Sequence, residues 1–210
     1  MRQLSDILND YFANKDLTSD ELIEALACRE RCIAKAADNS LTSTTSYAMS
    51  FDVQMELFKR YFENAEDILK NSITGRKAIE LGPGCNPMHR WLLERGASEY
   101  TGVEMLYPQV SERMITGNNA KIVDNDALSF LVSQPDESAI IASRGVLNEE
   151  VMPSSNYSRF LVKEIYRATP KGGITIHSTG VSSNDEKRFF KEAGFKPLDS
   201  RDYNVVWVKE

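Results

Sequence analysis

Apolar positions along the chain change their rhythm near residue 76. Before it the spacing is helical. Leu4, Ile7, Leu8, Tyr11 and Phe12 predict an amphipathic helix over about 2–13. A second helix is expected to begin near Thr18, because Glu21 three residues later completes a capping box, and Leu22, Ile23, Leu26, Ile33 and Ala36 form its stripe. The hydroxyl-rich run 39–47 has no periodicity and reads as a loop. Phe51, Met55, Phe58, Phe62, Ala65 and Leu69 then mark a long third helix with one apolar face for a sheet. After residue 76, apolar runs of strand length alternate with helical patterns. Strands are expected at 77–81, 100–105, 120–124, 138–143, 174–177, 195–198 and 203–208. Helices are expected around Trp91, at 110–114, after Asp126 with Phe130 and Leu131, at 157–168 and at 183–194. Strand and helix in alternation imply right-handed crossovers and an α/β, doubly wound, mostly parallel sheet of seven strands. The short link between the last two strands forces a terminal antiparallel hairpin.

The first strand runs directly into a glycine turn, Glu80-Leu81-Gly82-Pro83-Gly84-Cys85-Asn86-Pro87. Gly82 and Gly84 let the backbone turn sharply and approach a ligand, while Asn86 and Pro87 suit the cap and first position of the helix carrying Trp91. Twenty positions after Gly84, the second strand ends in Glu104, where a carboxylate can accept hydrogen bonds from both hydroxyls of a ribose. The third strand ends near Asp126-Ala127, and Asp126 suits the cap of the following helix. Ser143 closes the fourth strand, and 144–148 follow at the carboxyl edge, where open α/β folds bind ligands.

Glu80-Leu81-Gly82-Pro83-Gly84 followed by Glu104 resembles the first two motifs of the class I S-adenosylmethionine-dependent methyltransferases, over about residue 70 to the end. A second, separate match is the helix 157–168, the turn Pro170-Lys171-Gly172-Gly173 and the strand after it. The resemblance implies a Rossmann-like fold with S-adenosylmethionine as cofactor. It implies that Glu80, Gly82 and Gly84 lie around the donor, with Asn86 where the family has its third glycine. Glu104 would then hold the ribose, and Asp126 and Ala127 would flank the adenine, the carboxylate accepting from its exocyclic amine. A NAD enzyme is the rival, but its fingerprint has a glycine where Pro87 stands. Residues 1–70 are then an N-terminal helical segment and lid, and 71–210 the binding domain. The lid is expected over about 38–50, with Tyr47 reaching the site.

Composition narrows the function. The chain has 210 residues, 41% apolar, with 31 acidic against 25 basic side chains and a net charge of −6. No basic block offers a nucleic-acid footprint, so a small-molecule methyl acceptor is expected rather than nucleic acid. No apolar run approaches a membrane span and no signal segment opens the chain, so the expectation is a cytoplasmic protein with reduced Cys28, Cys32 and Cys85. No metal is expected, since His89 and His177 form no ligand cluster with Cys28 and Cys32. Cys85 reads as a small turn residue and not as a nucleophile. Methyl transfer from a sulfonium needs alignment and exclusion of water more than a nucleophile. No general base is identifiable. His177 is a packed residue or one facing the acceptor, and Arg144 is placed to meet an acidic acceptor group. A protein or RNA methyltransferase and a non-catalytic binder are the alternatives.

Overall fold

The computed structural model describes residues 10, 18, 20, 21, 65–84, 87–105, 108–147, 155–178, 184–198 and 206–210. The expected first helix, most of the second and third, the lid with Tyr47, and Cys28, Cys32, Cys85 and Asn86 lie outside the described residues. The capping box is present: the Thr18 amide donates to Glu21 Oε2 at 3.0 Å, and the Glu21 amide donates to Thr18 Oγ1 at 3.4 Å.

Helix α1 (Ala65–Ile73) ends the third expected helix and buries Leu69 and Ile73. Strand β1 (Lys77–Leu81) follows, then α2 (His89–Glu94), β2 (Glu99–Glu104), α3 (Pro108–Met114) and β3 (Ala120–Asp124). The chain continues through α4 (Ala127–Val132), β4 (Ala139–Arg144), α5 (Ser155–Ala168), β5 (Ile174–Ser178), α6 (Asn184–Ala193), β6 (Phe195–Pro197) and β7 (Val206–Lys209). The strands form one sheet in the order β3-β2-β1-β4-β5-β7-β6. The first five run parallel, whereas β7 is antiparallel to both β5 and β6. This is the doubly wound sheet with a terminal antiparallel hairpin that the pattern predicts.

Two cores cover the two faces. Ile79, Leu81, Val103 and Ile141 pack under α4, α5 and α6 through Leu128, Leu161, Ile165 and Phe189. Ala78, Tyr100, Ile140 and Ala142 pack under α1 and α2 through Leu69, Ile73 and Leu92. Burial on both faces explains why β1 and β4 are apolar runs without polar alternation. Strand β3, at the sheet edge, is only half-buried. Each fully buried leucine contributes about 2 kcal/mol by area. Trp207 of β7 stacks on Phe190, centroids 4.8 Å apart, which fastens the hairpin to α6.

Helix α2 corrects one expectation. It begins at His89 with Met88 as its cap, two residues later than the cap at Asn86 implies, and Met88 makes no side-chain cap bond. The Met88 amide is instead taken by the Glu80 carboxylate at 2.7 Å, so a tertiary acceptor sets where the chain becomes helical. No described helix is long and apolar enough to cross a membrane.

Candidate functional site

Strands β1 and β2 and the turn after β3 bring three acids, Glu80, Glu104 and Asp126, to the carboxyl edge of the sheet, beside the point where the chain order reverses between β1 and β4. Glu80 is fully buried on β1. Its Oε2 accepts from the Met88 amide at 2.7 Å and the Tyr100 hydroxyl at 2.6 Å, and its Oε1 accepts from Arg144 Nε at 3.3 Å and Nη2 at 3.2 Å. Burial raises the Glu80 pKa above the usual carboxylate value, against the pull of the Arg144 charge and the Tyr100 and Met88 hydrogen bonds. Burial likewise pushes the Tyr100 hydroxyl up, beside the Glu80 carboxylate. Arg144, whose position suggested an acidic acceptor, pairs with Glu80.

The glycine turn bends away from β1. Gly82 and Gly84 adopt φ of 63° and 55°, the left-handed region that favours glycine. A Cβ on Gly82 would lie 2.3 Å from Val146 Cγ2, so the turn and the segment after β4 are in close approach. The Gly82 amide donates to the Val103 carbonyl at 2.9 Å. Gly84 is held at both ends: its amide donates to Glu104 Oε2 at 2.9 Å, and its carbonyl accepts from Ser111 Oγ of α3. Glu104 is thus tied to the turn across the twenty positions noted in the sequence.

Asp126 caps α4 as expected, Oδ1 accepting from the Leu128 and Ser129 amides at 3.0 and 3.1 Å and from the Tyr157 hydroxyl at 3.1 Å. Its Oδ2 is buried and has no partner among the described residues. A buried acceptor left unsatisfied is costly and calls for a donor. Ala127 follows as the first, half-buried residue of α4.

Ser143 and His177 meet inside the sheet. Ser143 Oγ lies 2.8 Å from His177 Nδ1, and Thr175 Oγ1 contacts His177 Nε2 while lying 2.7 Å from the Ile141 carbonyl oxygen. The carbonyl takes the Thr175 hydroxyl proton, so Thr175 accepts from Nε2–H and Nδ1 accepts from Ser143. Both groups are buried, which fits the packed reading of His177. Burial lowers the His177 pKa from 6.5 to about 3. A depressed folded-state pKa means that the unfolded chain binds the proton more readily. Stability is therefore complete above pH 6.5 and is lost as pH falls from there toward about 3. The loss per pH unit inside that window is about 1.4 kcal/mol. The His177 ring resonances should show no titration between about pH 5 and 8; a midpoint near the free-histidine value would refute the buried neutral ring.

Sequence reading passed over Ser111, Tyr157 and Val146. Ser111 carries no local signal, being one hydroxyl in a weakly patterned helix. Tyr157 was noticed only as the start of the expected helix 157–168, and Val146 only as part of the 144–148 stretch. Among the described residues, no group of three or more His, Cys, Asp or Glu is placed to hold a metal ion.

No protein-family model matches the sequence, and no curated protein is similar to it. Solved structures are similar. A candidate S-adenosyl-L-methionine-dependent methyltransferase from Methanococcus maripaludis superposes with a TM-score of 0.53 at 15% identity, over 79% of this chain and 92% of its own. A TehB-like S-adenosylmethionine-dependent methyltransferase from Corynebacterium glutamicum gives 0.50 at 17% identity, over 76% and 99%. The fold is that of S-adenosylmethionine-dependent methyltransferases. A candidate sarcosine dimethylglycine methyltransferase from Galdieria sulphuraria gives 0.50 at 14% identity over 64% of this chain, which spans 60% of that protein's length. The methyltransferase fold puts its ligand edge at the carboxyl ends of the parallel strands, the edge at which Glu80, Glu104 and Asp126 gather here.

Proposed function

We propose that this chain is an S-adenosylmethionine-dependent methyltransferase acting on a small molecule. The observation that carries the reading is the buried Oδ2 of Asp126, without a partner among the described residues, at the ligand edge of a methyltransferase fold. An exocyclic amine of adenine is the donor that this acceptor calls for. The glycine turn supports the same reading, because Gly82 packs so closely on Val146 that any Cβ would push the turn or the segment after β4 out of place. Glu104 adds a carboxylate at the end of β2 for the ribose hydroxyls, and Ala127 gives a small side chain beside the adenine. When bound, the donor would supply a methyl carbon on a sulfonium, which an acceptor lone pair attacks in line while the C–S bond breaks and the thioether of S-adenosylhomocysteine leaves.

The acceptor is proposed to be small because the chain carries 31 acidic against 25 basic side chains and no basic block, a poor field for attracting a polynucleotide. Buried His177, its Nδ1 turned to Ser143, does not serve as a base. Arg144, paired with Glu80, shapes the site in preference to holding an acidic acceptor.

Saturating S-adenosylhomocysteine should raise the thermal midpoint by about 5 to 10 °C, the shift expected for a ligand at about a hundred times its Kd on a chain of this size. NAD should leave it unmoved. A shift with NAD and none with S-adenosylhomocysteine would overturn the reading. Labelled methyl transfer from S-adenosylmethionine into metabolite, protein and RNA pools, run in parallel, names the acceptor class. Label confined to the protein or RNA pool would remove the small-molecule assignment, and binding without any label would remove the catalytic one.

A further inference from the structure

Glu80 lies between Gly102 of β2 and Ala142 of β4 in the sheet register. Residues two apart on a strand share a face, so Tyr100 stands on the same side as Gly102, and Arg144 on the same side as Ala142. Three adjacent strands thus present Tyr100, Glu80 and Arg144 to one face, while the positions flanking Glu80 carry a hydrogen and a methyl. These gaps let the longer side chains lean inward to reach both carboxylate oxygens. Space requires the glycine: a Cβ on Gly102 would lie 2.9 Å from the Tyr100 hydroxyl oxygen, 3.0 Å from Pro83 Cγ and 2.6 Å from Ile122 Cδ1. Backbone conformation does not, since Gly102 is outside the positive-φ glycines. Pro83 belongs to the glycine turn, so the gap that admits the Tyr100 hydroxyl also seats the turn.

We propose that Tyr100, Arg144 and the gap at Gly102 form a positioning device for the glycine turn, holding the Glu80 carboxylate in the one orientation that binds the Met88 amide. The turn is then fixed at two places, with Pro83 seated over Gly102 and Met88 tied to Glu80. A carboxylate with a single donor rotates freely. Donors from β2, β4 and the start of α2 leave it one setting, and ligand binding no longer has to order the turn. Tyr100 and Arg144 are positioning residues, acting through Glu80 and the turn. The device deepens the donor-binding reading and, as far as ligand affinity goes, rests on it.

Tyr100→Phe removes one oxygen and leaves the ring that packs in the core. In the ligand-free protein, hydrogen exchange at the Met88 amide should rise about tenfold, while the amides of Ile79 and Ile141 keep their protection. S-adenosylhomocysteine affinity should fall about tenfold by calorimetry, the order of one hydrogen bond to a charged acceptor. Gly102→Ala, which crowds Pro83 and the Tyr100 hydroxyl together, should weaken binding at least as much. A merely structural role for Tyr100 would lower the thermal midpoint and raise exchange throughout the sheet. Unchanged Met88 exchange in Tyr100→Phe, or raised exchange with unaltered affinity, would overturn the device. Failure of the unaltered protein to bind S-adenosylhomocysteine would instead overturn the functional reading, and the exchange comparison would still decide whether the Tyr100 hydroxyl holds Met88 in place.

Discussion

Replacing Glu80 with alanine is expected to lower the unfolding free energy by about 3 to 5 kcal/mol, the range for removing one partner of a buried ion pair. The carboxylate is fully buried, and the Arg144 side chain that it faces is only 9% exposed. The substitution strips that guanidinium of its carboxylate and leaves the Tyr100 hydroxyl and the Met88 amide without the acceptor they share. Each buried donor that loses its acceptor costs about 1 to 3 kcal/mol, so the desolvation of Arg144 and the two stranded donors all act in one direction. On a chain of this size the thermal midpoint should drop on the order of 10 °C. Glu80→Gln keeps one carbonyl acceptor without the charge and should fall between the two. Urea denaturation of the three proteins decides it. A loss below about 1 kcal/mol for Glu80→Ala would mean that the ion pair returns no more than its own desolvation cost.

Gly82→Val should weaken S-adenosylhomocysteine binding by about a hundredfold or more while the sheet still forms, since two penalties fall on one turn. The backbone there has φ of 63°, a conformation that β-branched residues resist. The added Cβ would also lie 2.3 Å from Val146 Cγ2, so either the turn or the segment after β4 must move. Val146→Ala separates the two penalties. Placed on Gly82→Ala, it removes the clash and keeps the strain, so it should restore part of the affinity that Gly82→Ala alone loses. Calorimetry on variants whose circular dichroism matches the unaltered protein gives the answer. A folded Gly82→Val protein within about threefold of normal affinity would take the turn out of the binding site.

The fold was legible because its signals are local. The runs 77–81 and 120–124 become β1 and β3 with the same bounds, each being an apolar stretch stopped by a glycine turn or by acids. Gly194, at φ of 104°, ends α6 as its position implies. The start of α2 was misplaced because the Met88 amide donates to Glu80, an acceptor eight positions back that no capping rule selects. The acids of the site were legible by type and position but not by partner. Arg144 is 64 positions from Glu80, and no spacing rule selects it among the basic residues of the chain. Asp126 shows the same division: the helix that it caps is written beside it, while the empty side of its carboxylate follows from tertiary burial. Tyr100 carried a signal that pattern reading discards, because an aromatic residue in a strand counts as core whether or not its hydroxyl has a use.

Strand β7 lies between β5 and β6, although it follows both in the chain. During synthesis β6 therefore leaves the ribosome before the strand it must pair with. Until residues 206–209 emerge, the antiparallel side of β5 and the inner side of β6 have open hydrogen-bonding edges, and Phe190 waits for Trp207. A nascent chain paused in that interval exposes the two features that recruit wrong partners, an unpaired strand edge and an uncovered aromatic face. Only when β7 enters between β5 and β6 are both edges paired and the Phe190 ring covered, so closing the sheet waits on the last strand of the seven.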